Sequence, residues 1–164
     1  MSELALNSRI ERSQAVPDPD ALWAEREYVF RLARSIVLFE DVAEDIAQDV
    51  LIRTLRAKDP IRNLRAFLRT ATVRLALNYL RQKRPITIDE SAASQSDNSD
   101  IRLQVRQILQ QLSPDSRTIL ALSYFEHLSY REIASELGIP EGTVASRLSA
   151  ARLAFRDLWG NENE

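Results

Sequence analysis

The stretch Ser129-Tyr-Arg-Glu-Ile-Ala-Ser-Glu-Leu-Gly-Ile-Pro-Glu-Gly-Thr-Val-Ala-Ser-Arg-Leu-Ser-Ala-Ala-Arg-Leu-Ala-Phe-Arg156 reads as two short helices joined by a tight turn. Ser129 is an N-cap residue with Glu132 three positions on, the signature of a capping box, and Leu128 and Ile133 hold the hydrophobic-staple positions around it. Gly138 follows the last apolar residue, Leu137, where a left-handed C-terminal residue is usual. Pro140 then opens a second helix. In that helix Val144, Leu148, Ala151 and Phe155 recur at helical spacing and mark the face toward a core. Thr143, Ser146, Arg147 and Ser149 fall on the other side. A helix that turns small polar groups and an arginine outward, braced by a short helix before it, suits the major groove of DNA.

Working outward, helices precede this pair at Ile101–Leu112 and, from the Ser113 cap with Pro114 in first position, to about Phe125. Before them lies Pro85-Ile-Thr-Ile-Asp-Glu-Ser-Ala-Ala-Ser-Gln-Ser-Asp-Asn-Ser-Asp100, a short-chain, acidic stretch that reads as a flexible linker. Three further helical patterns precede the linker. They span Asp20 to about Phe39, Asp41 to Ala57, and Leu64 to Lys83, the last with Phe67, Leu68, Ala71, Leu75, Leu77 and Leu80 as its apolar set. Residues 1–19 read as a flexible N-terminal arm. The fold expected is all-α, with two small helical domains, 20–84 and 101–160, joined by a flexible acidic linker at 85–100. The C-terminal domain is the helix-turn-helix.

Net charge is −2 over 164 residues, which by itself gives no reason to expect nucleic acid as a partner. The distribution says otherwise. Residues 53–84 hold ten Lys/Arg against the single acid Asp59, whereas 85–100 hold four acids and no base. The chain has no cysteine, so disulfides and thiolate metal sites are excluded. No nucleophile–base pair, glycine-rich phosphate loop or carboxylate constellation suggests catalysis, so an enzyme is not expected. The lone histidine, His127, has no metal-ligating cluster in sequence around it. Trp23 and Trp159 read as packing anchors. No apolar run approaches the roughly 18 residues of a membrane span, and the N-terminal residues carry no secretory h-region.

Taken together and in order, these motifs resemble the bacterial extracytoplasmic-function sigma factors, the minimal members of the sigma-70 family with only regions 2 and 4. Asp41-Val-Ala-Glu-Asp-Ile-Ala-Gln-Asp-Val-Leu-Ile-Arg-Thr-Leu-Arg56 resembles the acidic helix that docks on core RNA polymerase. Arg65-Ala-Phe-Leu-Arg-Thr-Ala-Thr-Val-Arg-Leu-Ala-Leu-Asn-Tyr-Leu-Arg-Gln-Lys-Arg84 is similar to the helix that handles the −10 promoter element. Leu128–Leu148 resembles the −35 reader, and Ile61-Arg-Asn-Leu-Arg-Ala-Phe-Leu68 resembles the iron-starvation subgroup.

On the acidic helix Asp45, Gln48, Asp49 and Ile52 lie at i, i+3, i+4 and i+7, hence on one stripe. The resemblance implies that this stripe meets the clamp helices of the polymerase largest subunit, with the flap as a second contact. It further implies −10 DNA contacts from Arg62, Arg65, Arg69, Arg74, Asn78, Tyr79 and Arg81, and a flipped promoter base captured near the loop Lys58–Asn63. For −35 DNA it implies Arg131, Glu141, Thr143, Ser146 and Arg147, where an arginine bidentate to guanine gives about 1–3 kcal/mol of discrimination. Ala145 and Ala150 stand where the family commonly has a lysine and an arginine.

The function so implied is that of an alternative sigma factor, which directs core polymerase to specific promoters through −10 and −35 elements and initiates transcription. Its partners are core polymerase, promoter DNA and an anti-sigma factor anchored in the inner membrane. No cofactor or metal is implied, no direct membrane insertion is expected, and the location is the cytoplasm, with the anti-sigma factor able to hold the chain at the membrane. Two rival readings are a sigma-like mimic that titrates an anti-sigma factor and a plain helix-turn-helix transcription regulator.

Overall fold

The computed structural model describes residues 17–82 and 100–162, all of whose regular structure is helical. Residues 85–99 of the linker expected at 85–100, most of the N-terminal arm, and Lys83 and Arg84 lie outside these residues, while Asp100 begins a helix. Helices run α1 Pro19–Ala24, α2 Arg26–Val37, α3 Glu40–Leu55, α4 Leu64–Gln82, α5 Asp100–Gln111, α6 Pro114–Leu120, α7 Tyr130–Leu137 and α8 Glu141–Glu162, with a π-helical turn at Ala121–Phe125 between α6 and α7.

The first helical pattern, expected as one helix, is two. Asp18 caps α1, accepting from the Asp20 amide at 3.4 Å, and the chain bends at Glu25 before α2 begins. α2 stops at Leu38, whose φ of 67° is left-handed although it carries a branched side chain. Such a conformation is costly outside glycine and persists where surroundings over-determine it. Here the Leu38 side chain is buried, and its carbonyl accepts from Arg106 Nη2 on α5 at 2.8 Å.

α2 occupies the centre. Val29, Leu32, Ala33, Ile36 and Val37 have no exposed surface. The helix packs on α3 and α4 and also on α6 and the π turn. One apolar cluster therefore runs from Leu22 through α2, α3 and α4 to Ile119, Leu122, Ile133, Val144, Leu148 and Ala151. Each fully buried large aliphatic residue contributes about 1.5–3 kcal/mol relative to exposure.

The apolar set expected on α4 shifts. The wholly buried positions are Leu68, Thr72, Val73 and Ala76, while Phe67 is partly exposed. Thr72 is admitted because its hydroxyl donates to the Leu68 carbonyl at 2.7 Å, and Thr54 does the same to Val50 on α3. Trp23, expected as a packing anchor, is instead 68% exposed, with the Arg26 guanidinium 5.5 Å from its ring centroid. α1 is a single short turn-and-a-half whose one buried residue is Leu22, so its remaining side chains face outward.

Leu32→Ala removes a large side chain from the cluster that both halves share. The expected loss is about 2–5 kcal/mol, read as a lower urea midpoint by circular dichroism.

Candidate nucleic-acid interface

The helix-turn-helix forms as its sequence dictates. The Ser129 side chain accepts from the Glu132 amide at 3.3 Å, and the Glu132 carboxylate accepts from the Ser129 amide at 2.8 Å, closing the capping box. Both hydrogen bonds from Ser129, hydroxyl first and then amide, favour the charged carboxylate and hold the Glu132 pKa below its usual value. Gly138 takes φ 65° and ends α7, and the amides of Thr143 and Val144 donate to the Pro140 carbonyl to start α8. Val144, Leu148 and Ala151 are buried against α6 and α7. This leaves Glu141, Ser146 and Arg147 exposed, Thr143 half-buried, and Arg131 exposed on α7. Ser146 Oγ donates to the Thr143 carbonyl at 3.1 Å. Arg147 Nη1 lies 3.9 Å from Asp115 on α6, a loose and half-exposed pairing of little energetic weight. Ala145 is half-buried and Ala150 exposed, so no cation stands at either position.

The acidic stripe is presented on α3. Asp45 and Gln48 are exposed, Asp49 is half-buried, and Ile52 is 45% exposed beside exposed Leu55. Asp49 already accepts from Arg53 one turn on, at 3.0 and 2.9 Å. A patch of carboxylate, amide and aliphatic groups on a well-formed helix offers a partner both charge and apolar contact.

The basic helix α4 is divided by the packing. Arg62 in the preceding loop, and Arg65, Arg74, Asn78 and Arg81, are exposed, while Tyr79 packs partly against the core. Arg65 spreads its guanidinium 3.9 Å from the Tyr28 ring centroid and reaches Glu25 at 3.4 Å. Next to the loop a cleft of about 310 Å³ is lined by Lys58, Asp59, Pro60, Arg62, Asn63 and Phe67, among others.

Arg69 is placed differently. Its Nε donates to Glu136 of α7 at 2.9 Å, and its Nη1 lies 3.9 Å from Glu126 after the π turn. The three side chains are 19%, 5% and 8% exposed respectively. Tyr28 of α2 donates its hydroxyl to the same Glu126 oxygen at 2.8 Å. Burial, and then the Glu126 hydrogen bond, push the Tyr28 hydroxyl well above its usual range. Removing one member of a buried pair leaves an uncompensated charge and typically costs about 3–5 kcal/mol. A cation expected at the promoter is thus held by carboxylates of the helix-turn-helix unit. The sequence reading missed Tyr28, Glu126 and Glu136, because partners 98 and 67 residues apart leave no local pattern.

A family model described as Sigma-70 region 2 matches residues 24–86, and one described as Sigma-70, region 4 matches residues 102–155. The RNA polymerase sigma-H factor of Pseudomonas aeruginosa is 34% identical over 136 residues, covering 69% of this chain and 70% of that protein. The ECF RNA polymerase sigma factor SigL of Mycobacterium tuberculosis is 33% identical over 128 residues, covering 70% of this chain and 72% of that protein. Among solved structures, the sigma factor RpoE in complex with the anti-sigma factor NepR from Bartonella quintana superposes with a TM-score of 0.65 at 24% identity, covering 86% of this chain and 95% of that one. This last likeness shows the fold.

The Glu132 carboxyl should titrate below the ordinary glutamate range in side-chain NMR, and Ser129→Ala, which removes the hydroxyl donor and keeps the amide, should raise it toward that range. Because the folded pKa is lowered, the stability it carries is present above the ordinary glutamate pKa and is lost as pH falls through the lowered midpoint.

Proposed function

The chain belongs to the sigma-70 family, in its extracytoplasmic-function branch, and we propose that its helices divide the work of transcription initiation among three surfaces. As a sigma factor it directs core RNA polymerase to promoters. In our reading the α3 stripe of Asp45, Gln48, Asp49 and Ile52 docks on the clamp helices of the polymerase largest subunit, where arginines on a facing helix pair with its carboxylates. α4 and the loop before it engage the −10 element. Arg62, Arg65, Arg74 and Arg81 neutralise phosphates, each contact adding salt dependence to binding. The cleft beside Lys58–Asn63 takes an unstacked base against the exposed edge of Phe67. α8 enters the major groove at −35, with Arg147 on a base edge, Thr143 and Ser146 on base edges or phosphates, and Arg131 of α7 on the backbone. The helix-turn-helix unit also meets the polymerase flap.

The observation that carries this reading is the coexistence on one chain of an exposed acidic stripe on α3 and a capped helix-turn-helix whose outward face is polar and basic. A plain DNA-binding regulator has no use for the first, and a mimic that never touches DNA has none for the second.

The Arg69–Glu136–Glu126–Tyr28 cluster makes the described arrangement a resting one. Arg69 cannot meet a promoter phosphate while two carboxylates hold it, so promoter binding exchanges those carboxylates for DNA and separates α4 from α7. An anti-sigma factor that grips both units and holds them together would work with this contact. An inhibitor anchored in the inner membrane would hold a cytoplasmic protein there without any insertion by this chain. Among the described residues no helix is long and apolar enough to cross a membrane.

Purified core polymerase given this chain should start RNA at defined sites on a promoter library. Absence of any defined start in inhibitor-free reactions would overturn the reading. Asp45→Arg should weaken core binding while leaving duplex −35 binding unchanged. Arg147→Ala should cost about 1–3 kcal/mol of −35 discrimination, measured as the ratio of affinities for cognate and altered sites. Glu136→Gln combined with Glu126→Gln should release Arg69 and raise affinity for −10 single strands; unchanged affinity would argue that the cluster does not restrain α4.

A further inference from the structure

We propose that the cleft where α5, α6, the π turn and α8 meet α2 is a binding site for a small amphipathic monocarboxylate, with its tail against Leu109, Leu120 and Phe155 and its carboxylate on Arg117 and Arg152. The cleft has a volume of about 550 Å³, within the roughly 300–1,000 Å³ of small-molecule sites. Its walls are largely aliphatic and aromatic, and the cations are Arg117 and Arg152.

Arg117 is the informative group. It lines the cleft yet is only 8% exposed. Its Nη1 reaches the Leu109 carbonyl at 3.4 Å, its buried Nε has no hydrogen-bond partner, and none of the ion pairs among the described residues involves it. Burial alone lowers its pKa, which is the sign of a desolvated guanidinium that no acid compensates. A buried cation in this condition is costly, and a carboxylate offsets the cost with short, charge-assisted hydrogen bonds in a matching fork geometry. At the mouth, Arg152 lies 5.4 Å from the Tyr124 ring centroid, so a second guanidinium and an aromatic face stand at the entrance.

The remaining walls favour a small amphipath over a peptide segment. The Ser35 hydroxyl, on α2, already donates to the Leu32 carbonyl at 2.7 Å, so the charged groups the cleft offers are the two guanidiniums, whose donors match a carboxylate. An alkyl or aryl tail gains by leaving water, at about 25 cal/mol per Å² buried, while its carboxylate answers Arg117. The site rests on the packing of α2 against α6 and the π turn, whichever residues touch promoter or polymerase.

The test uses the full chain, with decanoate as the probe and decanol and acetate as controls for charge and tail. Calorimetry should show decanoate binding, decanol at least about tenfold weaker, and acetate not at all. NMR shifts on decanoate addition should centre on Tyr124, Phe125, Arg152 and Phe155. Arg117→Met should weaken decanoate binding by at least about tenfold. Should that variant fail to fold, Tyr124→Glu serves the same purpose: this residue is 57% exposed, and a carboxylate there repels the probe and competes for Arg152. Equal binding of decanol and decanoate, no weakening in either folded variant, or shifts centred away from the cleft would overturn the proposal.

Discussion

Arg69 gives up most of its hydration to lie between two carboxylates, Glu136 of α7 and Glu126 after the π turn, and that contact ties α4 to the helix-turn-helix. A guanidinium is desolvated at less cost than an ammonium and pairs in a fixed planar fork. A lysine at this position would bring a more strongly hydrated point charge, without the planar fork that turns Nε to Glu136 and Nη1 toward Glu126. Tyr28 completes the cluster by giving Glu126 a second donor. The same α2 that carries Tyr28 is buried against both units, so the polar cluster and the apolar core hold one arrangement from two sides. Hydrophobic contact supplies the larger energy, and the ion pairs fix which residues meet.

The consequence is an uneven display of charge. The α3 stripe stays accessible, whereas α4 has its central arginine engaged internally. On the proposed assignment of α3 to polymerase and α4 to promoter DNA, the two docking events differ in what they must displace. The first meets a prepared surface; the second must compete with carboxylates that are nearly dry. Such competition is strongly salt-dependent on the DNA side and weakly so on the buried side.

The π turn at Ala121–Phe125 links these features. A wider turn adds a residue to the helical path, with Glu126 donating its amide to the Ala121 carbonyl and Leu128 donating to that of Leu122 at 3.1 Å each. It leads into His127, whose φ of 53° reverses the chain toward α7. Glu126 is thereby brought to Arg69 and Tyr28, while Tyr124 and Phe125 line the same cleft as Arg117. The lone histidine is exposed and acts through its backbone at this bend.

Local chemistry determined much of the molecule from sequence alone. The Ser129–Glu132 capping box, the Gly138 stop, the Pro114 and Pro140 starts and the inward face of α8 all rest on interactions within a few residues, so spacing suffices to read them. The α3 stripe was legible for the same reason, since i, i+4 geometry belongs to any helix. Tertiary structure alone decided that α2 ends on a left-handed leucine, that Thr72 is buried where Phe67 is not, that Trp23 faces outward, and that Arg69 turns inward. Each depends on groups distant in sequence whose approach is set by how helices pack. An arginine has the same local pattern whether its partner is water, a phosphate or a carboxylate folded over from another helix.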